Sequence, residues 1–249
     1  MRKRYGFFSS LLFLSWFFSI YGQNSSEVVL FNAFDEHVGI ENTGLYQGIV
    51  YVEKYRTINE RVHFHKGVNF LPGSVYYDGQ WYYNLDVKYD VYDDKVLLRL
   101  VTEAGGGTIQ LFKGYLDEFV LDGEHFVKIL EKDAPLLSEH GFYAISMEGI
   151  YFTLYTKYTK RSFEKRDKKF LYYEFLNGSS EYALFYKGQY HRFNSKKEVI
   201  DLFPELKKEI KAFYGLARTQ SKADPNGFKI SLAKRIELLV SRTRNPEQE

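Results

Sequence analysis

The feature that most constrains this chain is a rhythm. Short runs rich in Val, Ile, Tyr and Phe alternate with tight-turn pairs: Asp78-Gly79, Asp93-Asp94, Gly105-Gly106-Gly107, Asp122-Gly123, Glu148-Gly149, Asn177-Gly178 and Lys187-Gly188. Asp-Gly and Asn-Gly supply the positive φ angles that two-residue hairpins demand. Parallel strands need crossovers of a dozen or more residues, and the spacing leaves no room for them. The reading is therefore mainly β: an antiparallel meander over 27–193, closed into a barrel or folded into a sandwich. At 249 residues the chain is long enough to bury a substantial core.

The pattern changes at 195. Ser195-Lys196-Lys197-Glu198 has the form of a capping box, in which the Ser hydroxyl takes the N3 amide and the Glu side chain returns to the Ser amide. Apolar residues at helical spacing then mark helices over 195–217 (Leu206, Ile210, Phe213) and 228–242 (Phe228, Leu232, Ile236, Leu239). Asp224-Pro225-Asn226-Gly227 reads as the turn between them, and Gly105-Gly106-Gly107 as a flexible turn. Each helix is apolar on one side only, so the 195–244 segment is expected to pack on the β part.

Residues 1–22 have the form of a secretory signal peptide, with Arg2, Lys3 and Arg4 ahead of a 14-residue apolar stretch from Phe7 to Ile20. As a helix that stretch covers about 21 Å, short of the ~30 Å hydrocarbon core of a bilayer. A cleaved leader is expected, giving an exported chain that does not span a membrane, in the periplasm or associated with the outer membrane or the exterior. Charge is segregated: residues 23–156 hold 10 basic and 20 acidic groups, residues 157–249 hold 21 and 12. The densest basic stretch, 157–169, is expected at a hairpin tip, with Lys160, Arg161, Lys165 and Arg166 its central cations.

The chain has no cysteine, which removes thiol nucleophiles, disulfides and Cys-ligated zinc. It has no G-x-S-x-G elbow, HExxH pair or P-loop, so no catalytic residue and no cofactor is expected. His63 and His65 form a His-x-His pair; on a strand, i and i+2 share a face and both imidazoles would reach one ion. The alternative is two solvated histidines on an exposed strand. Asp93 and Asp94 fit turn chemistry better than a calcium loop. The stretch from Tyr76 to Tyr83 is the most aromatic, and Tyr77, Trp81 and Tyr83 are candidates for a stacking platform, against the alternative of cross-strand pairing around a hairpin.

Gly73-Ser-Val-Tyr-Tyr-Asp-Gly-Gln, Tyr89-Asp-Val-Tyr-Asp-Asp-Lys, Leu116-Asp-Glu-Phe-Val-Leu-Asp-Gly, Gly141-Phe-Tyr, Ser195-Lys-Lys-Glu and Leu202-Phe-Pro-Glu-Leu-Lys-Lys-Glu-Ile-Lys together cover most of 70–215. On these passages the chain resembles a group of uncharacterised secreted β-rich proteins of Bacteroidota. The resemblance implies a compartment, the envelope of a two-membrane bacterium, and no activity.

Three functional classes follow. The first is a non-enzymatic envelope protein, a binding or accessory subunit whose partner is another envelope protein or an anionic envelope surface, with no nucleic acid expected. The second is a β-barrel carrier of an apolar or carbohydrate ligand, and the third a hydrolase with an unrecognised site. N-terminal sequencing of the native protein is expected to begin at or near Gln23; a chain still starting at Met1 contradicts a cleaved leader.

Overall fold

The computed structural model describes residues 43–244 apart from Gln47, Glu103 and Ala104. The expected leader, 1–22, lies outside the described residues, as does the start of the expected β region. The first strands are β1 (Ile49–Val50), β2 (Leu71–Tyr77), β3 (Gln80–Asp90), β4 (Lys95–Thr102), β5 (Gly105–Gln110), β6 (Leu116–Leu121) and β7 (Glu124–Ile129). They continue as β8 (Gly141–Glu148), β9 (Phe152–Lys157), β10 (Lys160–Arg166), β11 (Leu171–Asn177), β12 (Glu181–Tyr186) and β13 (Gln189–Arg192). Helices α1 (Lys196–Leu202), α2 (Lys207–Leu216), α3 (Arg218–Ala223) and α4 (Pro225–Arg244) complete the described chain. None of the described helices is long and apolar enough to cross a membrane.

Eleven strands form one sheet in the order β1-β5-β4-β3-β2-β6-β7-β8-β9-β12-β13, every pairing antiparallel. The expected meander is thus two meanders, β2 to β5 and β6 to β9, joined back to back along β2–β6. Among the described residues the sheet stays open, with β1 and β13 at its edges, so of the two expected forms the folded sheet is the one adopted. Asp78-Gly79, Asp122-Gly123 and Lys187-Gly188 have positive φ at both residues, as two-residue hairpins require. Three turn expectations are corrected. Gly105, Gly106 and Gly107 open β5 and pair with Thr102, Val101 and Leu100, so a ladder replaces the flexible turn. Pro225 starts α4, where a missing N–H and a fixed φ suit the first helical position. Asn177-Gly178 closes the base of the β10–β11 ribbon instead of a hairpin tip.

The sheet curls over a core rich in rings. Tyr89 on β3 packs against Phe119 and Phe126 at 5.3 Å and Phe142 at 6.2 Å, although β8, which carries Phe142, is not a neighbour of β3. A carboxylate fastens this closure. Asp94, in the left-handed β3–β4 turn, accepts from Tyr89 Oη at 2.6 Å, from Lys157 Nζ at 2.7 Å and from Lys113. Burial raises its pKa, but the two ammonium groups and the phenol outweigh that and hold it below the ordinary carboxylate value. Gly141 lies directly over this group with φ of +119°; a Cβ there would collide with the carboxylate and with Lys157 Nζ.

The helices cover one face of β8, β9 and β12. Phe152, Leu154, Tyr182, Leu184 and Tyr186 meet Phe203, Leu206, Ile210, Phe228, Leu232 and Ile236 in a second core. The capping box forms as read, Ser195 Oγ accepting from Glu198 N and Glu198 Oε2 from Ser195 N. Glu237 on α4 accepts from the amides of Ile150 and Tyr151 in the β8–β9 turn, at 2.6 and 3.0 Å, which sets the register of helix on sheet. Ile236→Ala is expected to cost about 2–5 kcal/mol through the cavity it leaves, while Leu216→Ala, at a residue 90% exposed, changes stability by less than ~0.5 kcal/mol. Urea unfolding of the two variants checks the contrast.

Candidate functional site

Strands β10 and β11 leave the main sheet as a separate two-stranded ribbon. Its base is closed by Gly178 N donating to Thr159 O at 2.8 Å and Thr159 Oγ1 donating to Ser179 O at 3.0 Å. Between this base, the His65–Lys66 bend and the first turn of α4 lies a cavity of about 680 Å³. The volume is in the range of small-ligand sites.

One wall is a hydrogen-bonded triad. Glu124 takes His65 Nε2 at 2.8 Å on one oxygen and Tyr158 Oη at 2.6 Å on the other. Burial raises the Glu124 pKa, yet these two donors and nearby Lys66 bring it below the ordinary value. The ionised carboxylate only accepts, so His65 carries its proton on Nε2. The opposite wall is built by α4. Asp224 caps it, Oδ1 accepting from Gly227 N at 2.9 Å. Tyr182 Oη donates to Asn226 Oδ1. Lys229 is buried and donates to Phe193 O at 2.7 Å, Asn194 O at 2.6 Å and Tyr214 Oη at 3.4 Å, its pKa pushed down to about 8 by burial. Three lysines face the cavity and no carboxylate does. Lys66 is answered from outside by Asp122 at 3.0 Å and Glu124 at 3.7 Å. Lys160 is half-buried, its side chain has no hydrogen bond or ion pair among the described residues, and burial lowers its pKa.

The His-x-His expectation is corrected. Residues 63–65 are not a strand; a single bridge at Phe64 is followed by a left-handed Lys66, so the i, i+2 rule does not apply. His65 turns to Glu124, whereas His63 turns the other way into a pocket behind the ribbon and is 1% exposed. Neither imidazole is a solvated strand residue, and among the described residues no three His, Cys, Asp or Glu side chains come together for a metal. His63 Nε2 lies 3.4 Å from Tyr51 Oη, 3.5 Å from Glu53 and 3.7 Å from Asp90, inside a cage of Tyr55, Phe64 and Phe175 rings. Burial lowers the His63 pKa and lifts that of Asp90 to about 6. Asp90 Oδ1 accepts from the amides of Tyr92 and Asp93, both at 3.0 Å, while Oδ2 and His63 Nδ1 have no hydrogen-bond partner among the described residues.

The basic stretch is not a tip. Residues Lys160–Arg166 form β10, and the turn is 167–170, where Asp167 Oδ1 accepts from the amides of Lys169 and Phe170. Strand alternation separates the four cations. Lys160 faces the cavity, Lys165 pairs with the buried Glu174 at 2.8 Å, and Arg161 and Arg166 are exposed. Glu174 is also met by Arg61 at 3.4 Å. The aromatic trio is divided too. Tyr77 is 1% exposed and packs on Tyr115, so it belongs to the core, because the inner face of β2 is as aromatic as the outer. Trp81 stacks on Tyr83 at 5.8 Å and meets Tyr76 across the hairpin at 5.5 Å and His125 at 6.4 Å, on the opposite face.

Sequence reading missed Glu124, Tyr158 and Lys229. Only Lys229 left a sign, a cation on the apolar stripe that Leu232, Ala233 and Ile236 continue. Comparison with protein-family models, with curated proteins and with solved structures finds no match.

Because the Asp90 pKa is higher folded than unfolded, the group stabilises the fold at low pH, and that contribution is lost as pH rises through about 6. Asp90→Asn keeps the Oδ1 acceptor and removes the buried charge. It is expected to be more stable than the parent at pH 8, on the order of 1–3 kcal/mol, with the gain shrinking below pH 6. Melting curves at pH 5 and pH 8 check it; a variant less stable than the parent at pH 8 contradicts it.

Proposed function

We propose that this chain is an exported, non-enzymatic protein of the bacterial envelope, a binding or accessory subunit that meets an anionic partner through its β10–β11 ribbon. The observation that carries the reading is the ribbon itself. It stands off the main sheet, holds six basic and three acidic residues between 160 and 177, and exposes rings and charge together. On one face, Arg161 and Leu176 are directly paired, next to the Phe163–Glu174 pair and to Lys165. Phe163 is 47% and Leu176 39% exposed, which is apolar area rimmed by cations. Among the described residues β10 has only β11 as a neighbour, so its outer edge is open; charged side chains on such an edge also keep it from pairing at random. The leader-like residues 1–22 support export, to the periplasm or to the outer-membrane or exterior side.

A second reading, a carrier, is favoured by one observation, the cavity beside the ribbon. It lies between ribbon base and helices instead of inside a barrel. No hydroxyl among the described residues hydrogen-bonds to His65, whose ring nitrogen is held by Glu124.

The test joins Arg161→Glu to Phe163→Ser and leaves Lys165 in place. Surface changes of this kind are expected to move stability by no more than ~0.5 kcal/mol, while proteins co-purifying from detergent-solubilised envelope are lost, and wild-type capture weakens as salt rises. Unchanged capture with unchanged melting contradicts the reading. Lys165→Glu alone is expected to lower the melting temperature, because it sets a second carboxylate against Glu174.

A further inference from the structure

We propose that the cavity between the ribbon base and α4 is a binding site for a small polyhydroxylated anion, a sugar carrying one carboxylate or phosphate group, with Lys160 holding the anionic group. The site is independent of the ribbon face described above. Three observations point the same way.

The first is charge. The cavity wall carries Lys66, Lys160 and Lys229 but no carboxylate. The acids close by are held by other donors: Glu124 by His65 and Tyr158, Asp122 by Lys66, Asp224 by the Gly227 amide at the start of α4, and Glu198 by the Asn194 and Ser195 amides and Arg192. Lys229 spends its three N–H groups on Phe193 O, Asn194 O and Tyr214 Oη. Of the three lysines, only the Lys160 side chain has no hydrogen bond or ion pair among the described residues, and it lines the cavity half-buried. A half-buried ammonium with no counterion costs stability, and an anion entering the cavity supplies the counterion.

The second is the character of the walls. Tyr158 and Tyr214, both half-buried, line the cavity with rings that carry hydroxyl edges, the combination on which the apolar faces of a sugar stack, and the buried Tyr182 and Phe228 rings back them. The third is the supply of neutral donors and acceptors. Asn177 lies directly opposite Lys160 in the ribbon, and Ser179 and Ser180 follow it along the wall. Amides and hydroxyls both donate and accept, as sugar hydroxyls do. An apolar ligand would leave them unpaired, and a bare inorganic anion would leave the rings unused. The volume of about 680 Å³ takes a ligand of one or two sugar rings.

Titration calorimetry and ligand-observed NMR on the whole mature chain test this with four probes: glucuronate, glucose 6-phosphate, glucose and inorganic phosphate. Expected is binding of glucuronate, of glucose 6-phosphate or of both, which distinguishes a carboxylate from a phosphate source. Glucose and inorganic phosphate should each bind at least roughly tenfold more weakly, as the loss of a charge-assisted hydrogen bond or of the ring contacts implies. Lys160→Met should weaken the charged sugar by a similar factor without lowering the melting temperature, and Lys160→Arg should restore binding. Equal binding of glucose, equal binding of inorganic phosphate, no binding of either charged sugar, or full binding by a folded Lys160→Met each overturn the proposal. The Arg161→Glu and Phe163→Ser pair should leave sugar binding intact, so failure here and failure of the envelope-partner reading are separable.

Discussion

The structure depends on one carboxylate in a turn. Asp94 sits in the β3–β4 turn of the first meander and accepts from Lys157, at the end of β9 in the second, as well as from Lys113 between β5 and β6. Among the described residues the two meanders share only the β2–β6 ladder, and this contact adds a second tie, from the β3–β4 turn of one to the end of β9 in the other. Lys157 is 4% exposed and would be an intolerable charge without it; burial draws its pKa down and Asp94 opposes that. Gly141 is required where it is because any side chain would occupy the space of the pair.

The same lysine fixes the cavity. Directly after Lys157, Tyr158 and Thr159 turn the chain into the ribbon, Tyr158 Oη reaching Glu124 at 2.6 Å and Thr159 closing the ribbon base. The second core then brings α4 to the other side, where Glu237 reads the β8–β9 turn and Asn226 meets Tyr182. A cavity formed by three separately anchored elements has a set shape without belonging to any one of them.

The opposite charges of the two chain halves are joined in part by this architecture. Lys157 meets Asp94, and Arg61 meets Glu174, across the division. Among the described residues, cations without an ion pair remain on the ribbon at Arg161 and Arg166, at Lys160, and along the helices, Lys207, Lys208, Lys211 and Lys234 among them. A two-stranded ribbon is marginal alone in water. Here it is held by residues 56–61, whose backbone exchanges hydrogen bonds with Tyr173 and Phe175, and by packing of Tyr55 on the Tyr173 and Phe175 rings at 5.1 Å.

Local chemistry made much of the fold legible. Asp-Gly pairs marked true hairpins, Ser195 and Glu198 marked a helix start, and the Phe228–Ile236 stripe marked the buried face of α4, because each depends on residues within a few positions of one another. Tyr77 and Trp81 show where that stops: alternation places them on opposite faces, but with aromatics on both, only closure of the sheet decides which face is inside. His63 and His65 diverge because a bend, not a strand, carries them, and the ribbon cations part company because Lys160 faces the cavity, Lys165 meets Glu174 on β11 and Arg161 faces solvent. Sequence by itself determined the strand-rich and helical regions, the Asp-Gly hairpins, the capped start of α1 and the basic composition of the ribbon. Which charges stay unpaired was decided only by the tertiary structure, since a charge is neutralised by what lies within a few ångströms in space, and for Asp94, Glu124 and Glu174 those neighbours are far away along the chain.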